Sequence, residues 1–296
     1  MNSIRQITIV GAGLIGGSFA LGARQAGFRG RLIGCDRDPV LEQARRKGAI
    51  DAGCADPTEA ARGSDVILLA TPVGAIIDLI ERIGPTAPAG SLLTDVGSTK
   101  VEIAARARAV FGQQAGQRFL PGHPMAGKEQ GGMENADAAL FRGAVWATTP
   151  LGELSPLAAA FLELVAAVGA RTVSMEPERH DHICAWLSHL PQMLATALAA
   201  GLEEQFSSDP VALELAGPAL REMTRTAASP YAMWRDIALT NRANLQEALL
   251  QLEQRLAHLR ENLSTRELAA EFDLANSFRK ALTTEDTEGH GERNKN

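Results

Sequence analysis

Residues 7–36 read ITIVGAGLIGGSFALGARQAGFRGRLIGCD, and the order of features in this stretch decides the fold. Ile7, Thr8, Ile9 and Val10 make a short β-branched run of the kind buried in a parallel strand. Gly11, Gly13 and Gly16 follow as G-x-G-x-x-G, then an apolar helix ending near Gly27, then a second strand over Arg31–Gly34 that ends at Cys35 and Asp36. Each part has a physical duty at a dinucleotide. Gly11 permits the tight turn, Gly13 lets backbone N–H groups approach a pyrophosphate, and Gly16 lets the helix sit against the strand. Leu14 and Ile15 open the helix, whose N-terminal dipole favours the phosphates. Asp36 lies about 20 residues past the last glycine, where a carboxylate takes the adenosine ribose hydroxyls. It would repel and crowd a 2′-phosphate, so NAD is expected over NADP. Arg37, beside it, is the residue that could offer such a phosphate a contact.

Bulk properties narrow the class. The 296 residues suggest about two domains. A net charge of −6 and a pI near 5.6 argue against a nucleic-acid partner. No uninterrupted apolar run reaches the roughly 18–20 residues of a membrane span, and the N-terminus lacks a basic-then-apolar signal segment. Cys35, Cys54 and Cys184 are odd in number and widely spaced, which fits reduced thiols and predicts the cytoplasm.

The alternation continues beyond Asp36. Asp38-Pro39 and Asp56-Pro57-Thr58-Glu59 read as helix starts, and Val66–Thr71 as a buried strand stopped by Pro72. A helix from Val73 to Ile83 follows, then a strand over Ser91–Asp95. Ser98 and Thr99 are placed to cap a helix running to Phe111. Arg118–Leu120, Ala144–Thr148 and Arg171–Met175 supply further strands. The pattern predicts an α/β domain over residues 1–175, a doubly wound parallel sheet of Rossmann type. From residue 176 to 282 strand signals vanish and helical periodicity predicts an all-α domain, with Pro191 kinking one long helix. Leu245, Leu249, Leu252, Leu256, Leu259 and Leu263 form a heptad seam whose partner is the same chain or a second copy. Ser264-x-x-Glu267 caps a final helix. Residues 283–296 are polar and aperiodic and read as a disordered tail.

Ligands in such sheets bind at the carboxyl ends of the strands. Thr71, Pro72 and Val73 therefore face the cofactor, as do Gly97 and Ser98 in D-V-G-S-T-K (Asp95–Lys100). His123, in G-H-P-M-A-G-K-E (Gly122–Glu129), sits past a strand end within reach of a nicotinamide, a candidate base for an alcohol proton. His180 and His182 resemble a metal pair, but two residues apart on a helix they point about 200° apart. No cysteine or carboxylate cluster completes a site, so no metal is expected. His189 lies seven residues from His182, hence on its face, and is either an interior histidine or a substrate contact. Arg225 offers a guanidinium fork suited to a carboxylate. Tyr231 and Trp234 could wall a ring pocket or fill core.

With these residues in view the chain resembles the prephenate/arogenate dehydrogenase family of tyrosine biosynthesis. The resemblance rests on V-G-A-G-L-I-G-G-S (Val10–Ser18), A-T-P-V (Ala70–Val73), D-V-G-S-T-K, G-H-P-M-A-G-K-E, H-D-H…S-H-L-P (His180–Pro191) and R-E-M-T-R…W-R-D (Arg221–Asp236). It implies oxidative decarboxylation of a carboxylated cyclohexadienol with hydride transfer to NAD, in a homodimer built by the helical domain. It also implies roles. His123 accepts the ring hydroxyl proton, and Ser98 orients His123 and the nicotinamide. Arg225 holds a substrate carboxylate with His189 as a second contact, while Glu129 and Glu222 lie at the pocket rim and Trp234 near the substrate. Lys128 and Glu222 stand where family members often carry Thr and Asp. A dianionic substrate on an acidic protein needs local cations, for which Lys100 and Lys128 join Arg225 as candidates. A 3-hydroxyacid dehydrogenase shares this layout, but such enzymes use a lysine in the helical domain, and none occurs between Pro177 and Phe278. A non-catalytic nucleotide-sensing dimer is the reading from a different class.

Overall fold

A computed structural model describes residues 3–128 and 130–291. Six strands form a parallel sheet in the order β3-β2-β1-β4-β5-β6: β1 (Gln6–Val10), β2 (Arg31–Cys35), β3 (Ala52–Cys54), β4 (Val66–Leu69), β5 (Leu92–Asp95) and β6 (Phe119–Leu120). The order reverses between β1 and β4, which opens a crevice at their carboxyl ends. Helices α1 (Leu14–Gln25), α2 (Asp38–Arg46), α3 (Pro57–Ala60), α4 (Val73–Ile83), α5 (Val101–Phe111) and α6 (Ala115–Arg118) connect the strands. Side chains of β4 alternate between two cores. Val66 and Leu68 join Phe19 of α1 and Leu41 of α2 on one face, while Ile67 and Leu69 join Ile76 and Ile80 of α4 and Ile103 of α5 on the other. Burial on both faces is why these strands read as unbroken apolar runs.

The remaining strands depart from the expected single sheet. β7 (Gly122–Pro124), β8 (Val145–Thr148) and β9 (Arg171–Ser174) make a separate sheet, with β7 antiparallel and β9 parallel to β8. β7 stands where the sequence predicts a loop, because glycine and proline are depleted in strands and only the distant β8 supplies the pairing. The apolar helix α7 (Pro156–Ala167) joins β8 to β9, capped by Ser155, which accepts from the Ala158 N–H at 3.2 Å.

After β9 the chain is helical: α8 (Pro177–Cys184), a π turn (Ala185–His189), α9 (Leu190–Phe206), α10 (Pro210–Glu214), α11 (Pro218–Thr224), a 3-10 turn (Arg225–Ala228), α12 (Tyr231–Thr240), α13 (Arg242–Glu261) and α14 (Glu267–Gly291). The kink expected at Pro191 takes the form of that π turn. Proline lacks the N–H and crowds the preceding turn, and the wider turn absorbs the conflict. By composition Pro177–Phe206 is long and apolar enough to cross a membrane, although it buries His180, Asp181 and His189.

Contacts group residues up to Leu245 into one compact unit, so the segments before and after residue 175 pack together. Two helix ends join them. Helices α4 and α5 have no capping side chain of their own. Asp236 of α12 accepts from the Gly74 N–H at 3.1 Å, and Asp181 of α8 accepts from the Lys100 and Val101 N–H groups at 2.7 and 2.9 Å. The expected caps are thus displaced, and Thr99 instead bonds Thr240 at 2.8 Å. The segment read as a tail starts inside α14. Helix α14 continues to Gly291, with Thr283 bonding the Arg279 and Lys280 carbonyls as a helical residue does, while residues 292–296 lie outside the described ones. Within residues 246–291, Arg255 pairs with Glu271 at 2.7 Å. Of the heptad leucines in α13, Leu252 and Leu259 are half-buried, whereas Leu256 stays exposed.

Candidate active site

The dinucleotide cradle is built as its glycines require. Gly11 adopts φ 96°, and a Cβ there would meet the Ala70 carbonyl oxygen at 2.4 Å. A Cβ on Gly16 would lie 2.1 Å from the Gly11 oxygen, whereas one on Gly13 would meet nothing within 4 Å. The loop is closed against the sheet at Gly11 and Gly16, and open at Gly13. No side chain caps α1, so the N–H groups at Leu14 and Ile15 face that open side with no acidic competitor in the first turn. Asp36 reaches back over the loop and accepts from Ala12 N–H at 2.9 Å and Arg37 N–H at 2.7 Å. Across the crevice, Thr71 carries a buried hydroxyl without a partner among the described residues, followed by Pro72 and the buried Val73 at the start of α4. Open space at Gly13, uncapped N–H donors and a buried hydroxyl on the far wall fit a dinucleotide.

Beyond β5 the loop is held by a buried ion pair. Lys100 donates its Nζ to Asp95 and, at 2.7 Å, to the Gly122 carbonyl; Asp95 also accepts from Gly97 N–H at 2.7 Å and Gly122 N–H at 3.2 Å. Burial pushes the Lys100 pKa down against the pull of Asp95, and pushes the Asp95 pKa up against that of Lys100. Lys100 is fully enclosed, so it locks β5 to β7 and cannot meet a substrate dianion as the sequence suggested. Lys128 bonds the Asn135 carbonyl at 3.0 Å and lies 3.5 Å from Asp137.

β7 presents His123 within this frame. Its Nδ1 lies 2.9 Å from His180 Nε2, and His180 Nδ1 lies 2.8 Å from the Asp181 carboxylate. The chain of bonds sets the protons. Asp181 accepts from His180 Nδ1, so His180 Nε2 carries a lone pair and accepts from His123 Nδ1. That leaves the lone pair of His123 on Nε2. Burial first, then His180, Lys100 and His189, hold the His123 pKa well below the usual histidine range, so the ring is a neutral acceptor. Sequence reasoning missed His180 and Asp181 in this role. Ser98, expected to orient His123, is half-buried, and among the described residues no hydrogen bond joins the two; the bond His123 makes is to His180.

The π turn changes which histidines face inward. His182 is exposed while His189 is buried, against the expectation that both share a face. One extra residue in the wide turn rotates the helix beyond it by about 100°. His189 thereby meets Asn241, whose amide lies 3.2 Å from Nδ1 and also donates to the Asp181 carbonyl at 2.7 Å. With Nδ1 accepting, Nε2 carries the proton, and it has no partner among the described residues. Burial lowers the His189 pKa to about 4. Trp234 stands edge-on to His189 at 5.9 Å with its own indole N–H buried and, among the described residues, unpartnered. Two orphaned donors side by side mark a place for an acceptor.

Arg225 is exposed at the start of the 3-10 turn after α11, and Glu222 and Tyr231 are exposed as well. Gln192 of α9, which sequence reasoning passed over, ties that turn down by donating to the Thr226 carbonyl at 2.9 Å. Glu129 lies outside the described residues.

Residues 19–174 match the family model of the prephenate dehydrogenase nucleotide-binding domain, and residues 176–280 that of the prephenate dehydrogenase dimerization domain. The chain is 31% identical over 290 residues to prephenate dehydrogenase of Bacillus subtilis, covering 97% of this chain and 76% of that one. It is 32% identical over 239 residues to prephenate dehydrogenase of Lactococcus lactis, covering 80% of this chain but 65% of that protein's length. Among solved structures, prephenate dehydrogenase from A. aeolicus in complex with hydroxyphenyl propionate and NAD+ superposes with a TM-score of 0.81 at 28% identity, over 96% of this chain and 98% of that one. With both halves matched in sequence and the whole in fold, the chain belongs to the prephenate dehydrogenase family.

Proposed function

We propose that this chain oxidises prephenate, with arogenate as the alternative substrate, by hydride transfer to NAD and loss of CO2, giving 4-hydroxyphenylpyruvate or tyrosine. The observation that carries the reading is the neutral His123, poised through His180 and Asp181 to present an unprotonated Nε2. NAD, when bound, would supply the hydride acceptor for the ring carbinol. His123 takes the hydroxyl proton as the carbon is oxidised, and decarboxylation then gives an aromatic ring, which makes the step effectively irreversible. Gly11, Gly13, Leu14, Ile15 and Gly16 would seat the pyrophosphate and Asp36 the ribose, with Thr71, Pro72, Val73, Gly97 and Ser98 along the nicotinamide side. Arg225 would hold a substrate carboxylate, with Glu129 and Glu222 at the rim. His189 and Trp234 would donate to a substrate acceptor group, which favours a keto oxygen over an ammonium on the side chain.

The working unit in this reading is a homodimer formed through the helical region. Leu213, Leu215, Met223, Leu263, Phe272 and Phe278 are exposed there, and that region matches a dimerization-domain model. Cys35, Cys54 and Cys184 are all free, in keeping with a cytoplasmic enzyme. The test is the rise of reduced-nicotinamide absorbance with NAD and prephenate, repeated with arogenate and with NADP. No turnover on either cyclohexadienol would refute the proposal.

A further inference from the structure

The inner side of His123 belongs to a second arrangement. Cys184 lies one turn past His180 on α8, and its Sγ is 3.5 Å from His180 Nε2 and 3.9 Å from His123 Nδ1. The two nitrogens are 2.9 Å apart, and all three side chains are buried. A tetrahedral zinc ion, with bonds of about 2.0–2.1 Å to nitrogen and about 2.3 Å to sulfur, holds its nitrogens about 3.3 Å apart and nitrogen and sulfur about 3.6 Å apart. Each edge of the triangle here lies within about 0.5 Å of those values. The support behind it is also in place. Asp181 holds His180 Nδ1 at 2.8 Å, the carboxylate–imidazole pairing that aims the other nitrogen at a metal. The nearby Lys100 ammonium is paired with Asp95 and does not stand against a cation unopposed.

We propose that His123, His180 and Cys184 form a three-ligand site for a zinc-class cation, and that filling it switches the enzyme off. Three protein ligands leave one position for water. Binding costs the Cys184 thiol its proton, which goes to solvent. The proton on His123 Nδ1 is displaced and Nε2 becomes the protonated nitrogen, so the ring loses the lone pair that would accept the substrate proton. The inhibition rests on His123 being the base; the site itself does not.

Cobalt(II) added to the metal-free protein reads the site without any turnover. The wild-type chain should bind one ion with a thiolate-to-cobalt charge-transfer band, bleached by zinc, and Cys184→Ala should lack the band. In the prephenate assay the same variant, as active as wild type without metal, should need at least roughly tenfold more zinc for half-inhibition, the scale on which a lost coordination partner weakens a site. Cys184→Ser, which keeps the volume, should behave like the alanine variant. Absence of the band in wild type, or equal zinc sensitivity in Cys184→Ala, overturns the site. A band with undiminished turnover overturns the switch. A protein that bound cobalt this way yet oxidised no cyclohexadienol would refute the proposed reaction and leave the site standing.

Discussion

His123 Nδ1 stands 2.9 Å from His180 Nε2, so the nitrogen of His123 left for chemistry is decided by a residue that need not touch substrate. His123→Asn should lower kcat by about 10²–10⁴-fold, the range for a lost general base, with NAD affinity unchanged. His180→Gln should lower kcat by roughly 10–100-fold, as loss of a supporting hydrogen bond to a working imidazole does. Because His180 acts through His123, combining the two should cost no more than His123→Asn alone. Additive losses would mean His180 has a separate duty.

The acid limb of kcat/KM should fall below pH 6.5, since burial first, and then the His180, Lys100 and His189 neighbours, hold His123 low. A limb centred above that value would contradict a neutral buried ring.

Stability should carry the same sign. An unfolded histidine titrates near 6.5, whereas His189 titrates near 4 in the folded chain. Between those values the unfolded chain binds a proton that the folded one refuses. Stability is therefore lost as pH falls from about 6.5 toward 4, by at most about 3 kcal/mol from this residue, and is untouched above 6.5. Melting curves of wild type and His189→Gln should converge toward acid pH.

Lys100→Met removes one member of a buried ion pair and strands Asp95, at a cost of about 3–5 kcal/mol. The double variant with Asp95→Asn should recover part of that in a denaturant melt. A Lys100→Met chain as stable as wild type would mean that Asp95 is neutral in the fold.

Arg225→Ala should raise KM for prephenate roughly 10–100-fold, the worth of a charged hydrogen bond, while KM for NAD holds. Parallel loss of both would point to a misfolded helical region.

The doubly wound sheet was legible because its strands are buried on both faces and its helices announce themselves with glycine and proline. Asp56 accepts from Glu59 N–H at 2.9 Å as its spacing implied. The hidden features depend on residues far apart in the chain. The pairing of β7 with β8 put His123 on a strand, and Asp181 displaced Ser98 and Thr99 from the cap of α5. His180 invites comparison with His182, its neighbour in sequence, while its partners are His123 across 57 positions and Cys184 one turn on. The π turn defeats a face assignment that assumes uniform helical spacing.

The carboxylates that close α4 and α5 also bear on how the protein assembles. Residues up to 175 leave the ribosome with the sheet complete in sequence, yet the amide groups that open those two helices wait for Asp181 and Asp236. Both helices begin at the crevice where the nicotinamide is expected. A nucleotide-binding fragment cut at residue 175 would therefore be frayed where the cofactor's reactive end belongs, and would be expected to hold NAD less firmly than the full chain.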